Sequence, residues 1–378
     1  DRHNRKMMMM IVSDLMAGIA TIVILILQSL GILEFWHLYL TSVIYGLGMA
    51  FQWPAYSAAI STMVPKEQYA RANGMMSLVE AGPQVVAPLL AGMLLPIIGL
   101  TGILVIDVVT FLLAIGALLI LHVPQPPRTQ EGAQGQGSIW KEAAYGFKYI
   151  FARPSLLGLQ LTFFVGNLFS GIAFTLLAPM ILSRTVNDSL MLGSTQSAGA
   201  IGMVIGGVVM SAWGGFKRRV HGVLAGWMVS GIGTAIIGLA GGLPIWITGL
   251  VIFSLVIPLM NGSNQAIWQA KVAPDVQGRV FSARRLIAWF TNPISPIIAG
   301  TLADFVIEPQ MRTTSVLSET FGGLVGTGPG AGMGLIIFFC GAITIFIGAI
   351  GYFVPAIRDA ETILPDHDEL ARVEEVPA

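Results

Sequence analysis

Cysteine is all but missing from this chain. Cys340 is the only one among 378 residues, and it lies inside an apolar stretch, so disulfides play no part and the redox compartment cannot be read from it. Charge is scarce as well, at 11% of residues with a net charge of zero, and no basic surface points to nucleic acid. The five histidines are scattered and form no metal-ligand spacing. A glycine-rich run at 322–332 is followed by no Lys-Ser/Thr pair and preceded by no strand, which excludes a phosphate-binding loop. It reads instead as a flexible, outward-facing entry to the last helix. Ser–His–Asp or Cys–His constellations would have no soluble domain to hold them. The absences argue against an enzyme.

What the chain does have is long apolar stretches, with hydrophobic residues at 54%. Ten of them run over residues 7–28, 38–60, 74–97, 100–121, 156–182, 190–213, 220–240, 243–268, 281–306 and 332–355. A hydrocarbon core of ~30 Å needs about 20 residues as helix, so each stretch is long enough to span. Basic residues collect in cytoplasmic loops. Only Arg184 and Arg312 fall in gaps that must face outward, and the other eighteen Lys and Arg are assigned to every second gap. The pattern predicts an all-α polytopic membrane protein with both ends in the cytoplasm. The 45 glycines fit helices that pack closely in lipid. Seven acids between Asp359 and Glu375 mark a tail expected to be solvated and disordered.

The pattern breaks between 121 and 156. His122-Val123-Pro124-Gln125-Pro126-Pro127 ends a helix, and a Gln/Gly-rich linker follows. Trp140, Ala144, Phe147 and Phe151 then recur at helical spacing, which predicts a short amphipathic helix on the inner membrane surface; a partner-binding helix is the alternative. The expected division is a first bundle at 1–121, a linker with its helix at 122–155, a second bundle at 156–357 and a tail at 358–378. The bundles share an echo. Arg71, Pro88 and Ala91-Gly92 match Arg279, Pro296 and Ala299-Gly300 at an offset of 208 residues, which favours duplication.

Ionisable residues inside the spans are few and costly if they meet lipid. Glu80 lies nine residues beyond Arg71, ~13 Å deep at 1.5 Å per residue, and Asp107 lies in the outer half of the next span. Each is either a proton carrier or substrate contact, or a hydrogen-bonded packing residue. Asn261, Asn264, Gln265 and Gln269 share one helix face, and Pro258 before them invites a kink. The repeat places Trp53 opposite Asn261 and Tyr56 opposite Asn264, beside Gln52 and Pro54. These two faces are candidates for lining a central cavity, with Phe163, Phe164 and Asn167 as weaker ones. Interhelical hydrogen bonding is the plainer reading of the same residues.

Asp1-Arg2-His3-Asn4-Arg5-Lys6 resembles the DRxGRK end of the loop motif between the second and third helices of the major facilitator superfamily, with Asn4 where that pattern has Gly. Phe51-Gln52-Trp53-Pro54-Ala55, Val64-Pro65-Lys66-Glu67 and Ala70-Arg71-Ala72-Asn73 resemble the exporter branch that contains the enterobactin exporter and macrolide-efflux proteins. Pro274-Asp275 and Gly278-Arg279-Val280-Phe281-Ser282 match the same branch in the second half. The resemblance implies a major facilitator fold in which the ten stretches are helices three to twelve of twelve, the first two lying upstream of the chain. It implies a secondary transporter working by alternating access between two pseudosymmetric bundles. Proton-driven export of a hydrophobic or amphipathic small molecule is the expected activity, the substrate being a drug, macrolide or siderophore. A lysophospholipid flippase, an uptake permease or a non-transporting receptor of the same fold are the alternatives. The implied setting is a monomer in the cell inner membrane, with no cofactor and with protons, substrate and lipid as partners. The resemblance also implies a cytoplasmic gate, with Asp1 as the acidic partner, Arg2, Arg5 and Lys6 beside it, and Arg71 and Arg279 as its basic elements. Two departures weaken a direct transfer of proton antiport. Ser42 stands where many antiporters have Arg, and Val86 stands where the motif around Gly82-Pro83 expects Gly.

Overall fold

The computed structural model describes residues 5–120 and 139–367; the side chains of 5–10, 35, 47, 49–59, 80, 81, 84, 85, 88, 89, 91, 92, 119, 139, 140, 142 and 143 lie outside that description. The described chain is helical, with no strand among the described residues. Helices α1 (Arg5–Ser29) and α2 (Phe35–Met63) lead into α3 (Tyr69–Ile120). Gly99 breaks α3 with a φ of 63°, a left-handed conformation that glycine adopts without a Cβ clash. The predicted spans 74–97 and 100–121 are thus the two limbs of α3. After α4 (Ile139–Phe151) come α5 (Pro154–Arg184), α6 (Ser189–Trp213), α7 (Arg219–Gly238) and α8 (Leu243–Lys271). Helices α9 (Gln277–Trp289) and α10 (Thr291–Thr301) run on through a π-helical stretch, Leu302–Ile307, into α11 (Glu308–Arg312). Then follow α12 (Val316–Val325), α13 (Ala331–Phe353) and the short α14 (Pro355–Arg358) and α15 (Ala360–Ile363).

All ten apolar stretches coincide with helix. Among the described residues, eight helices are long and apolar enough to cross a membrane; the other two stretches are α2 and the first limb of α3. Glycine lets the second bundle close up. A Cβ on Gly233 would sit 2.6 Å from the carbonyl oxygen of Gly249 on α8, and one on Gly238 2.4 Å from that of Gly334 on α13. Both distances are below any real Cβ contact, so α7 meets its neighbours backbone to backbone, as small residues permit in lipid.

The amphipathic helix α4 is held to the protein by Tyr149 and Ile150, buried against Trp268, Val276 and Phe281, and Phe147 of the predicted stripe packs against the same cluster. Ala144 and Phe151 of that stripe are exposed. Two sequence expectations are corrected at the other end and in the tail. The glycine-rich run is pinned, not loose. Arg184 donates to the carbonyls of Leu239 at 3.0 Å and Val325 at 2.8 Å, and Glu308 accepts from Gly330 N at 2.5 Å and Met333 N at 3.1 Å. A carboxylate at the start of α13 offsets the unpaired amides and dipole there. The described part of the acidic tail, to residue 367, is folded onto the protein, and Ala360 is fully buried; residues 368–378 lie outside the described residues, as does the linker at 121–138.

Candidate functional site

A cavity of about 350 Å³ lies between the two bundles. The first bundle contributes Ile60 from α2 and Asn73, Met76 and Ser77 from α3. Phe163 and Asn167 on α5, one helical turn apart, face it from the second bundle, with Met203 on α6. Asn261 and Gln265 on α8 are likewise one turn apart, just beyond Pro258. Phe281, Arg284, Arg285, Ala288 and Trp289 complete the wall as one face of α9.

Arg284 and Arg285 correct the assignment of all eighteen remaining bases to loops, because both sit on a cavity wall. Arg284 donates to Gln265 Oε1 at 2.6 Å, and its guanidinium lies 5.0 Å from the Trp268 ring. Gln160 fixes the backbone beneath by donating to the Arg284 carbonyl at 3.1 Å. Arg285 lies 4.1 Å over the Trp289 ring. A signal was there to be read: the apolar stretch begins at Phe281, and 281, 284, 285 and 288 share a helical face.

The predicted polar stripe on α8 divides into three uses. Asn261 and Gln265 face the cavity, whereas Asn264 is buried and accepts a hydrogen bond from Trp268 Nε1 at 3.1 Å. Gln269 lies on the seam between the bundles, where its Oε1 accepts from Asn73 Nδ2 at 2.9 Å. On α5, Phe163 and Asn167 line the cavity and Phe164 does not. Asp107 is not on the wall either; it accepts from Thr21 Oγ1 at 2.8 Å and ties α3 to α1. The side chains of Gln52, Trp53, Tyr56, Glu80, Arg5 and Lys6, and the whole of Asp1 and Arg2, lie outside the described residues.

One end of the molecule carries Lys66, Lys217, Lys271 and Arg279, and here the bundles meet. Ser61 Oγ donates to Gln277 Oε1 at 2.7 Å, and Gln277 is itself held by donating to the carbonyls of Gln269 at 3.1 Å and Val272 at 2.9 Å. Tyr69, Ala70, Met210 and Ala266 form a buried apolar cluster across the seam. Arg219 donates to the Lys66 carbonyl at 2.8 Å. Arg71 also crosses the seam, to the Ala212 carbonyl at 3.3 Å, whereas Arg279 lies 5.8 Å from the Tyr145 ring of α4. The predicted basic pair is thus split between the seam and the amphipathic helix.

The tail adds a clamp at the same end. Asp366 contacts Lys66 at 3.2 Å and Lys271 at 2.8 Å. Burial alone would raise the pKa of this carboxyl, but hydrogen bonds and charge from Lys271 and then Lys66 hold it below its ordinary 3.8. With a depressed value, the clamp is fully present above pH 3.8 and is lost only as pH falls through the lower, folded-state value. Cysteine-accessibility rates across this contact should therefore be flat from neutral to mildly acidic pH.

Two helical bundles that enclose a polar cavity, sealed together at one end, define a polytopic membrane transporter. The Major Facilitator Superfamily model matches residues 1–296, and the chain belongs to that family. It is 28% identical over 309 residues to macrolide efflux protein A of Streptococcus pyogenes, covering 80% of this chain and 75% of that protein. Macrolide efflux protein A of Enterococcus faecalis is 28% identical over 299 residues, covering 78% of this chain and 91% of that one. Among solved structures, the human organic anion transporter MFSD10 aligns with a TM-score of 0.65 at 14% identity, over 91% of this chain and 77% of that one. A bacterial homologue of the iron transporter ferroportin, in its outward-facing state, aligns at 0.62 and 17% identity, over 91% and 83%. The chain is a multi-pass membrane transporter of the major facilitator fold, not an enzyme.

Proposed function

We propose that this protein exports an amphipathic small molecule by alternating access, with protons as the coupling ion and the basic end in the cytoplasm. The observation that carries this reading is the cavity at the bundle interface, closed at the basic end by Ser61–Gln277 and Asn73–Gln269. With that end cytoplasmic, the described state is closed on the cytoplasmic side. The wall mixes amides and guanidinium groups with Phe163, Phe281 and Trp289, which suits a ligand with one apolar face and a few polar groups. The relatives named for macrolide efflux support export and make a macrolide a first substrate to try. Glu80 is the proposed proton-carrying group.

Accumulation of a macrolide in cells with and without the protein tests the direction of transport: lower accumulation supports export, higher accumulation uptake. Orientation has its own test. Cysteines introduced at Lys217 and Arg312 should label from opposite sides of the membrane, and labelling of both from outside would end this topology.

A further inference from the structure

We propose that the C-terminal segment 355–366 is a built-in strap that holds the two bundles together at the basic end and must let go before that end can open. Such a strap goes beyond the transport reading but rests on it for its consequence, since a closed end matters only in a protein that alternates.

The segment is a built structure. Helices α14 and α15 fold back across the ends of α7 and α8, with Ala360 fully buried among Val220, Leu224 and Ile267. Glu361 accepts from the backbone N–H of Val220 at 3.0 Å, so a carboxylate sits at the start of α7, where unpaired amides and the helix dipole favour it. Asp359 accepts from Arg218 at 2.9 Å and is held ionised by hydrogen bonds from Arg358 and Arg218. Lys271, the last residue of α8 and 8% exposed, donates to the carbonyls of Glu361 and Leu364, each at 2.5 Å. All these contacts bind the strap to the second bundle.

Asp366 is different. Its two oxygens are divided, Oδ1 to Lys271 of the second bundle and Oδ2 to Lys66 in the α2–α3 turn of the first. Lys66 is tied a second time, through its carbonyl, to Arg219. Separating the bundles at this end leaves the strap on the second bundle and breaks the Lys66 contact. The strap therefore stabilises only the closed arrangement, which is the condition for shifting a two-state equilibrium. Partly exposed ion pairs are individually weak, and salt screens them. That weakness suits a catch that opens in every cycle.

The test uses the full chain with Cys340→Ala and a cysteine at Ser77, a cavity residue. Its alkylation rate by a membrane-impermeant maleimide is read from the basic side, in membrane vesicles of that orientation. Asp366→Asn should raise the rate by about two- to fivefold. Lys66→Gln should do the same, and the double variant should add little to either, because both break the same Asp366–Lys66 contact between the bundles. High salt should raise the wild-type rate and leave Asp366→Asn nearly unchanged. A merely structural tail gives a different result: lost thermal stability in Asp366→Asn with no change in labelling, or additive effects of the two variants. Either outcome overturns the strap. Transport measured on the Cys340→Ala chain with Ser77 intact, with and without Asp366→Asn, separates the two proposals. Labelling that responds in a protein moving no substrate supports the strap and sinks the exporter; transport with labelling indifferent to Asp366 does the reverse.

Discussion

Glu80→Gln is expected to cut pH-gradient-driven transport by about tenfold or more, equivalent to ~1.4 kcal/mol or more at the limiting step, while substrate binding persists. Asn73, Met76 and Ser77 face the cavity from α3, and position 80 continues that i, i+3, i+4, i+7 series on the same helix face. It lies ~4.5 Å further from the basic end than Ser77, at 1.5 Å per residue. A carboxylate at membrane depth is costly when charged unless water, a cation or a substrate group meets it. Gaining or losing its proton then favours one of two states, which is what coupling requires. Gln keeps the shape and removes the titration. Asp107 is the comparison: its bond to Thr21 ties it to α1, so Asp107→Asn should leave the pH dependence in place. Transport rates against an imposed pH gradient in proteoliposomes, measured for both variants, decide the matter. Full pH dependence in Glu80→Gln would make the carboxylate structural.

Asn73→Leu should move the protein towards the state that is open at the basic end. The amide of Asn73 crosses the seam to Gln269, which is fully buried. Losing that bond costs about 1 kcal/mol, rising to ~3 kcal/mol if the buried oxygen is left without a donor. The bond spans two bundles and cannot survive their separation, so the loss falls on the closed state alone. A change of that size shifts the ratio of the two states by about five- to 150-fold. The labelling rate of a cysteine at Asn261 from the basic side should rise accordingly, and transport should slow if opening to the far side becomes limiting. Unaltered labelling would mean that the Asn73–Gln269 bond persists in both states or contributes nothing to their balance.

The helices were legible because each is written as an apolar run of spanning length, and Gly99 even marks the bend between two of them. Asn167, Asn261 and Gln265 were legible as cavity residues for a related reason: an amide within an apolar run is costly without a task. Arg284 and Arg285 were legible only from their shared face with 281 and 288, because bases at the start of a run read equally well as loop residues. Only the fold of α9 against α8 turns them to the cavity, Arg284 onto Gln265 and Trp268 and Arg285 over Trp289. The seam was hidden for another reason. Ser61 and Gln277 are 216 residues apart, and Asn73 and Gln269 are 196 apart, so neither partner signals the other locally. The tail misled through composition. Acid-rich sequence reads as solvated, but Asp359 is matched by Arg218 and Asp366 by Lys66 and Lys271, bases far from the tail in sequence.

The central claim is that the seam closed by Ser61 and Gln277 opens and closes in every transport cycle. Paired cysteines at these two positions, in a Cys340→Ala chain reconstituted in proteoliposomes, test it most directly. Cross-linking with a short thiol-reactive bridge should stop transport, and reduction should restore it to the rate before treatment. Transport that continues at the same rate through a fully cross-linked seam would contradict the account.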